Sequence, residues 1–183
     1  MKQTDSEIIR QCQRGDKAAF RWVVQTYQRL VFSLSLKILC DEEEAKDAVQ
    51  ETFIRVWQNI EDYDTRRSFS TWLYTIATRL CLDRLKSLRQ LTPLAGDEAL
   101  LKQFASNADS QRIIENREWV AIVRLLASNL STKQRLVFTL CHLEELSSVE
   151  VEQITGMDAK QVKSNLYAAR QIIRKQLKAL GYE

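Results

Sequence analysis

One proline and four glycines among 183 residues leave this chain few places to break a helix. Proline removes a backbone donor and glycine carries a large entropic cost in a helix interior. Both are scarce here, while Leu, Ala, Glu, Lys, Arg and Gln dominate, so the expected fold class is all-α. The one proline stands in LTPLAGDEALLKQFASNADS, where helical periodicity lapses. Residues 91–112 are therefore read as a flexible linker, with room for a helical turn near 100–104. It joins two small helical domains, 1–90 and 113–183.

Start and stop signals divide these domains further. Thr4-Asp5-Ser6-Glu7 reads as a capping box for a short helix that ends near Gly15. Asp16 caps a longer one, with Phe20, Val23, Val24, Tyr27, Leu30, Val31, Leu34 and Ile38 at helical spacing. Asp41, followed by Glu44, starts a third helix to about Ile60. After a polar turn at 61–68, a fourth runs to about Leu88. Beyond the linker the pattern predicts helices at 113–128 and at 131–144 behind a Ser131-x-x-Gln134 box. Ser147-x-x-Glu150 opens a short helix, Thr155-Gly156-Met157 makes a turn, and a last helix runs from Asp158 nearly to the end.

The net charge of +3 says little by itself; its distribution says more. Residues 66–89 hold Arg66, Arg67, Arg79, Arg84, Lys86 and Arg89 against Asp83. Residues 158–178 hold Lys160, Lys163, Arg170, Arg174, Lys175 and Lys178 against Asp158. Acidic stretches at 41–51 and 144–152 lie outside them. Two separated basic segments point to two contacts on one polyanion, although either alone also fits a solvated helix rim. Cys12, Cys40, Cys81 and Cys141 are widely spaced without a CxxC pair, and the N-terminus is polar and charged, so reduced thiols in a cytoplasmic protein are expected. His142, the only histidine, has too few ligand-type neighbours for a metal site, and it and Cys141 are read as structural. No metal or cofactor is expected, and no apolar run is long enough to span a bilayer.

Three surfaces carry chemistry. SSVEVEQITGMDAKQVKSNLYAARQIIRKQL reads as a helix-turn-helix. Val151 and Ile154 face Val162 and Leu166, and Ala169 and Ile173 continue the inner stripe. Lys160, Lys163, Ser164, Tyr167 and Gln171 point outward with Gln161 and Asn165 on one flank, a set that can read base edges or hold phosphates. Arg170, Arg174 and Lys175 fit backbone contacts. In TRRSFSTWLYTIATRLCLDRLKS, Phe69, Leu73, Ile76, Ala77 and Leu80 form the buried stripe. Trp72, Thr75, Arg79 and Lys86 follow one flank, and Tyr74 and Thr78 are expected to face further out. With the loop Asp64, Thr65, Arg66, Arg67 and Ser68, this flank can capture unstacked bases; packing alone explains Trp72 equally well. In DEEEAKDAVQETFIRVWQNI, Ala45, Val49, Phe53, Val56 and Ile60 form the inner stripe. Asp47, Gln50, Glu51, Ile54 and Gln58 lie opposite, and an isoleucine among carboxylates and amides suits protein docking.

These pieces, in order, resemble the bacterial extracytoplasmic-function sigma factors over nearly the whole chain. AFRWVVQTYQRLVFSLSLKIL, EEEAKDAVQETFIRVWQNI, FSTWLYTIATRLCLDRLKS and the stretch from LSTKQRLVF through the helix-turn-helix carry the match. The resemblance implies a subunit that brings core RNA polymerase to a promoter. Domain 1–90 would be region 2 and domain 113–183 region 4, with the linker near the RNA path. The 47–58 face would dock on the β′ clamp helices, with β-subunit contacts elsewhere. Loop 64–68 and the helix after it would open the −10 element and trap an extruded base. The last helix would enter the −35 major groove, and an anti-sigma factor would restrain the protein.

The chain departs from that pattern where relatives often carry Arg at Thr75, Asn at Arg79, and Arg at Asn165 and Ala168. Its −10 details and −35 preference therefore do not carry over. Three other readings remain open on residues alone. A duplex-binding regulator accounts for the helix-turn-helix but gives the first 90 residues no role. An enzyme would need a pocket signature, and pairs such as Glu42–Glu43 and Asp47–Glu51 lie on one charged helix without one. A helical adaptor would bind protein through its basic faces, and salt-dependent DNA binding would count against it.

Overall fold

Side-chain acceptors from the sequence mark where several helices start. The structure, a computed structural model, describes residues 5–91 and 129–179, without the side chains of 89–91 and 179. The expected linker, apart from its first residue Leu91, which is helical, and the 113–128 helix fall outside these residues, as does Thr4 of the first capping box. The described helices are α1 (Asp5–Gln13), α2 (Lys17–Leu39), α3 (Glu42–Asn59), α4 (Phe69–Leu91), α5 (Thr132–Phe138), α6 (Ser148–Thr155) and α7 (Ala159–Ala179). Among the described residues there is no strand, as expected of an all-α chain. Asp16 accepts from the Ala18 and Ala19 amides, and Asp41 from Glu44. Ser131 with Gln134, and Ser147 with Glu150, close reciprocal capping boxes. Each cap satisfies amides that a helix cannot bond internally, worth about 1 kcal/mol.

The chain separates into two compact units. In the N-terminal one, α1 and α3 pack on α2. Val23, Val31, Leu34 and Ile38 of α2 are at most 1% exposed, as are Ala45, Ala48 and Val56 of α3. Burying each large aliphatic side chain contributes roughly 1.5–3 kcal/mol, which supplies what short helices lack in isolation. The Cys81 thiol lies 3.5 Å from the Ser35 hydroxyl and ties α4 to the same centre.

The buried arc of α4 is wider than one stripe. Phe69, Leu73, Ala77 and Leu80 are buried as expected, with Ile76 half-buried. Tyr74 and Thr78, expected to face outward, are instead 5% and 1% exposed. They lie one step round the helix from Leu73 and Ala77, and Cys81 is buried beside them. A helix covered on more than one side buries a broader arc than a surface helix does.

In the C-terminal unit, α5 packs on α7. A π-helical turn, Thr139–Leu143, prolongs α5. The Glu144 amide bonds to the Thr139 carbonyl and the Leu146 amide to Leu140. Leu136, Leu140, Val151, Val162 and Ala169 are buried. Leu130, Ala169 and Ile173 form a further apolar cluster with Phe138, Ile172 and Leu177 against it.

The Thr78 hydroxyl is buried without a hydrogen-bond partner among the described residues. Thr78→Val keeps the shape and removes an unsatisfied polar group, so it should raise stability by about 1 kcal/mol in chemical denaturation. An unchanged or lower midpoint would mean that the hydroxyl is satisfied in solution.

Candidate nucleic-acid interface

Loop 64–68 is built from two successive turns. The Tyr63 amide bonds to the Ile60 carbonyl at 3.2 Å, and the Arg67 amide to the Asp64 carbonyl at 3.0 Å. The Asp64 carboxylate accepts from the Arg66 amide at 3.0 Å and from the Arg66 guanidinium at 2.9 Å. Arg67 stands 3.9 Å from it. Hydrogen bonds from the Arg66 side chain and amide pull the carboxyl down to about 2. Asp64 is therefore ionised throughout the neutral range and organises the turn. Arg66, Arg67 and Ser68 are exposed.

Tyr63 backs this loop. Its ring lies 5.5 Å from Phe69 and 4.7 Å from Trp72, and its hydroxyl donates to the Arg67 carbonyl. Trp72 is thus half-buried, packed on Tyr63 and Phe69. Packing and exposure coexist in one side chain. The half-buried Thr75 bonds back to the Thr71 carbonyl at 2.9 Å. Arg79 is exposed, and Lys86 is exposed 3.7 Å from Asp83. Trp72, Thr75, Arg79 and Lys86 run along one flank of α4, as their spacing predicts.

Beside the loop opens a cavity of about 250 Å³. Thr65, Arg67, Ser68 and Ser70 line it with Tyr27 and Tyr63, and α1 adds Asp5, Ser6 and Ile9. Tyr27 donates to Asp5 at 3.2 Å. Burial, followed by the Asp5 charge, pushes the Tyr27 hydroxyl up to about 12, which keeps it a neutral donor. Sequence reasoning assigned α1 no part in this site, because no local period links it to residues 60 positions later.

On α3, Asp47, Gln50 and Gln58 are exposed, and Ile54 is 51% exposed. Glu51 is half-buried in a 2.9 Å ion pair with Arg55. A shallow groove of about 440 Å³ runs beside them, lined by Lys17, Phe20, Gln50, Phe53, Ile54, Trp57 and Gln58. Phe20 and Trp57 pack at 4.7 Å and make its apolar floor. Neither was foreseen for this surface, although Trp57 stands three residues after Ile54 on the same face.

In the C-terminal unit, Gly156 ends α6 at φ 71°, and its amide bonds to the Glu152 carbonyl. Asp158 accepts from the Gln161 amide at 2.8 Å, and the Gln161 side chain returns to the Asp158 amide at 3.3 Å. Lys160, Gln161, Lys163, Ser164, Tyr167 and Arg170 form the exposed face of α7, with Tyr167 at 66%. Ser164 and Asn165 both bond to the Gln161 carbonyl, and Asn165 is half-buried. Arg170 donates to His142 Nε2 at 2.8 Å. Burial and the Arg170 charge lower the imidazole's affinity for a proton, consistent with a neutral acceptor. Cys12, Cys40, Cys81 and Cys141 are free thiols. Among the described residues no cluster suits a metal ion, and no helix is long and apolar enough to cross a membrane.

The chain matches the family models for Sigma-70 region 2 at residues 23–90 and Sigma-70 region 4 at residues 121–173. It is 33% identical to the ECF RNA polymerase sigma factor SigW of Bacillus subtilis, over 94% of this chain and 96% of that one. With the RNA polymerase sigma-H factor of Pseudomonas aeruginosa it shares 27% over 98% and 96%. The fold is similar to that of CnrH, solved in complex with the cytosolic domain of CnrY, with a TM-score of 0.72, 22% identity, and coverage of 96% of this chain and 97% of that one. It is also similar to the sigma factor RpoE of Bartonella quintana, solved with the anti-sigma factor NepR, with a TM-score of 0.66, 16% identity, and coverage of 87% and 96%.

Gly156 has a positive φ and open space where a Cβ would stand. Gly156→Ala therefore adds backbone strain without a clash and should cost about 1–2 kcal/mol in unfolding of the C-terminal unit. No loss would contradict the left-handed turn between α6 and α7.

Proposed function

The chain belongs to the extracytoplasmic-function (ECF) RNA polymerase sigma factors, and from that premise we propose how its residues divide the work of promoter-specific initiation. The observation that carries the proposal is the pairing of a pre-formed, Asp64-organised loop and cavity with an exposed basic helix flank in one unit, and a capped helix-turn-helix with a polar basic face in the other. Domain 1–90 serves as region 2, 113–183 as region 4, and 91–112 joins them.

Loop residues Asp64, Arg66, Arg67 and Ser68 take an unpaired base of the −10 element, and the 250 Å³ cavity beside them accommodates it. Trp72 offers its exposed surface for stacking, while Thr75, Arg79 and Lys86 follow the strand along α4. Base stacking contributes about 1–3 kcal/mol per base, enough to offset part of the cost of opening a pair. Lys160, Lys163 and Arg170 hold phosphates of the −35 duplex, and Gln161, Ser164, Asn165 and Tyr167 read its groove. Ser164 and Asn165 exchange their bonds to the Gln161 carbonyl for base contacts on binding.

Asp47, Gln50, Glu51, Ile54 and Gln58 dock on the β′ clamp of core polymerase, where the Phe20–Trp57 floor supplies apolar area and the carboxylates supply orientation. The β subunit makes further contacts. An anti-sigma factor covers one or more of these surfaces; the similar RpoE of Bartonella quintana is itself held in complex with such a factor, NepR. The protein acts in the cytoplasm, where polymerase and DNA are.

Separate variants test the division. Lys163→Ala should weaken −35 duplex binding and reduce its salt slope by about 1, with core-polymerase binding unchanged. Asp47→Lys with Glu51→Lys should weaken core-polymerase binding about tenfold or more, leaving the duplex contact of the C-terminal unit intact. Equal effects of both sets on both partners, with folding retained by circular dichroism, would refute the division.

A further inference from the structure

Gln13, the last residue of α1, reaches across the N-terminal unit to the segment that carries loop 64–68. Its side-chain amide donates to the Ile60 carbonyl at 3.0 Å and to the Tyr63 carbonyl at 2.7 Å, with the Glu61 carbonyl 3.4 Å away. Three acceptors around one group require the amide nitrogen, not its oxygen, to face them. The two carbonyls bracket the turn closed by the Tyr63 amide on Ile60. Beyond it comes Tyr63 itself, whose ring sets Phe69 and Trp72 and whose hydroxyl holds the Arg67 carbonyl. Asp64 is the next residue. The half-buried Gln13 thus fixes the backbone from which the whole loop hangs. The other end of α1 lines the adjoining cavity through Asp5, Ser6 and Ile9.

We propose that Gln13 is a positioning residue for the strand-reading loop: its two N–H groups clamp the 60–63 turn so that Asp64, Arg67 and the cavity are set before DNA arrives. The inference rests on the reading of 64–68 as the −10 site and adds α1 to that site. Pre-organisation of this kind is expressed as selectivity, because a loose loop accepts more bases and holds each less firmly.

The test uses full-length protein assembled with core polymerase and a fluorescent non-template strand from a promoter mapped by its own start site. The readout is the ratio of affinity for that strand to affinity for a shuffled one. Gln13→Met keeps the length and removes the donors, and Gln13→Lys supplies an ammonium that can serve the same carbonyls. Hydrogen exchange of the Arg66 and Arg67 amides, both bonded to Asp64, reports the loop in the free protein. Gln13→Met should accelerate this exchange and lower the ratio by about tenfold each, and Gln13→Lys should restore both. Gln13→Asn, which withdraws the donors by one methylene, replaces Met if circular dichroism shows lost helix. Unchanged exchange, or accelerated exchange with the ratio held while Asp64→Ala lowers it, overturns the inference. A ratio insensitive to Asp64→Ala as well would overturn the −10 reading and this inference with it.

Discussion

Burial of the apolar side of α2 is the constraint from which the N-terminal unit follows. Val23, Val31, Leu34 and Ile38 need cover that one neighbouring helix cannot supply. α1 and α3 pack on α2, and Ser35 meets Cys81 of α4. Once those helices are committed, the chain between α3 and α4 must turn over a short distance. Tyr63 and Phe69 fill the corner together with Tyr27. The loop at 64–68 is what remains outside that aromatic corner, and its polar groups are organised by Asp64 together with the Tyr63 hydroxyl.

A single helix can therefore have two roles without conflict. α4 buries Leu73, Tyr74, Ala77, Thr78 and Cys81 on one broad arc, and its other flank stays free for Arg79 and Lys86. Trp72 stands on the border, held by Tyr63 and Phe69 yet only half-buried. In α7 the same economy holds, with Val162 and Ala169 inside and Lys163 and Tyr167 outside. The contact geometry that stabilises each unit also aims its polar residues.

Local chemistry was legible in the sequence. Asp16, Asp41, Ser131 and Ser147 announce their caps, Gly156 its turn, and the exposed row on α3 its amphipathic spacing. Longer-range consequences were not. Tyr74 and Thr78 were misplaced because one stripe per helix is the simplest reading, and only the tertiary cover of α4 widens it. The Gln13 clamp joins residues 50 apart, which no period reveals. The π-helical turn at 139–143 depends on an added residue per turn, and TLCHL carries no cap or glycine to mark it. The binding assignments came from resemblance and from outward-facing chemistry; family membership carries the sigma-factor role, and the individual residues stand as proposals.

The most direct measurement is run-off transcription by purified core polymerase on fragmented genomic DNA of the source organism, with and without this protein. The account predicts discrete new transcripts that require it, each starting downstream of a shared pair of −35 and −10 sequences. Failure to bind core polymerase, together with no added transcript, would contradict it and leave a duplex-binding regulator in its place.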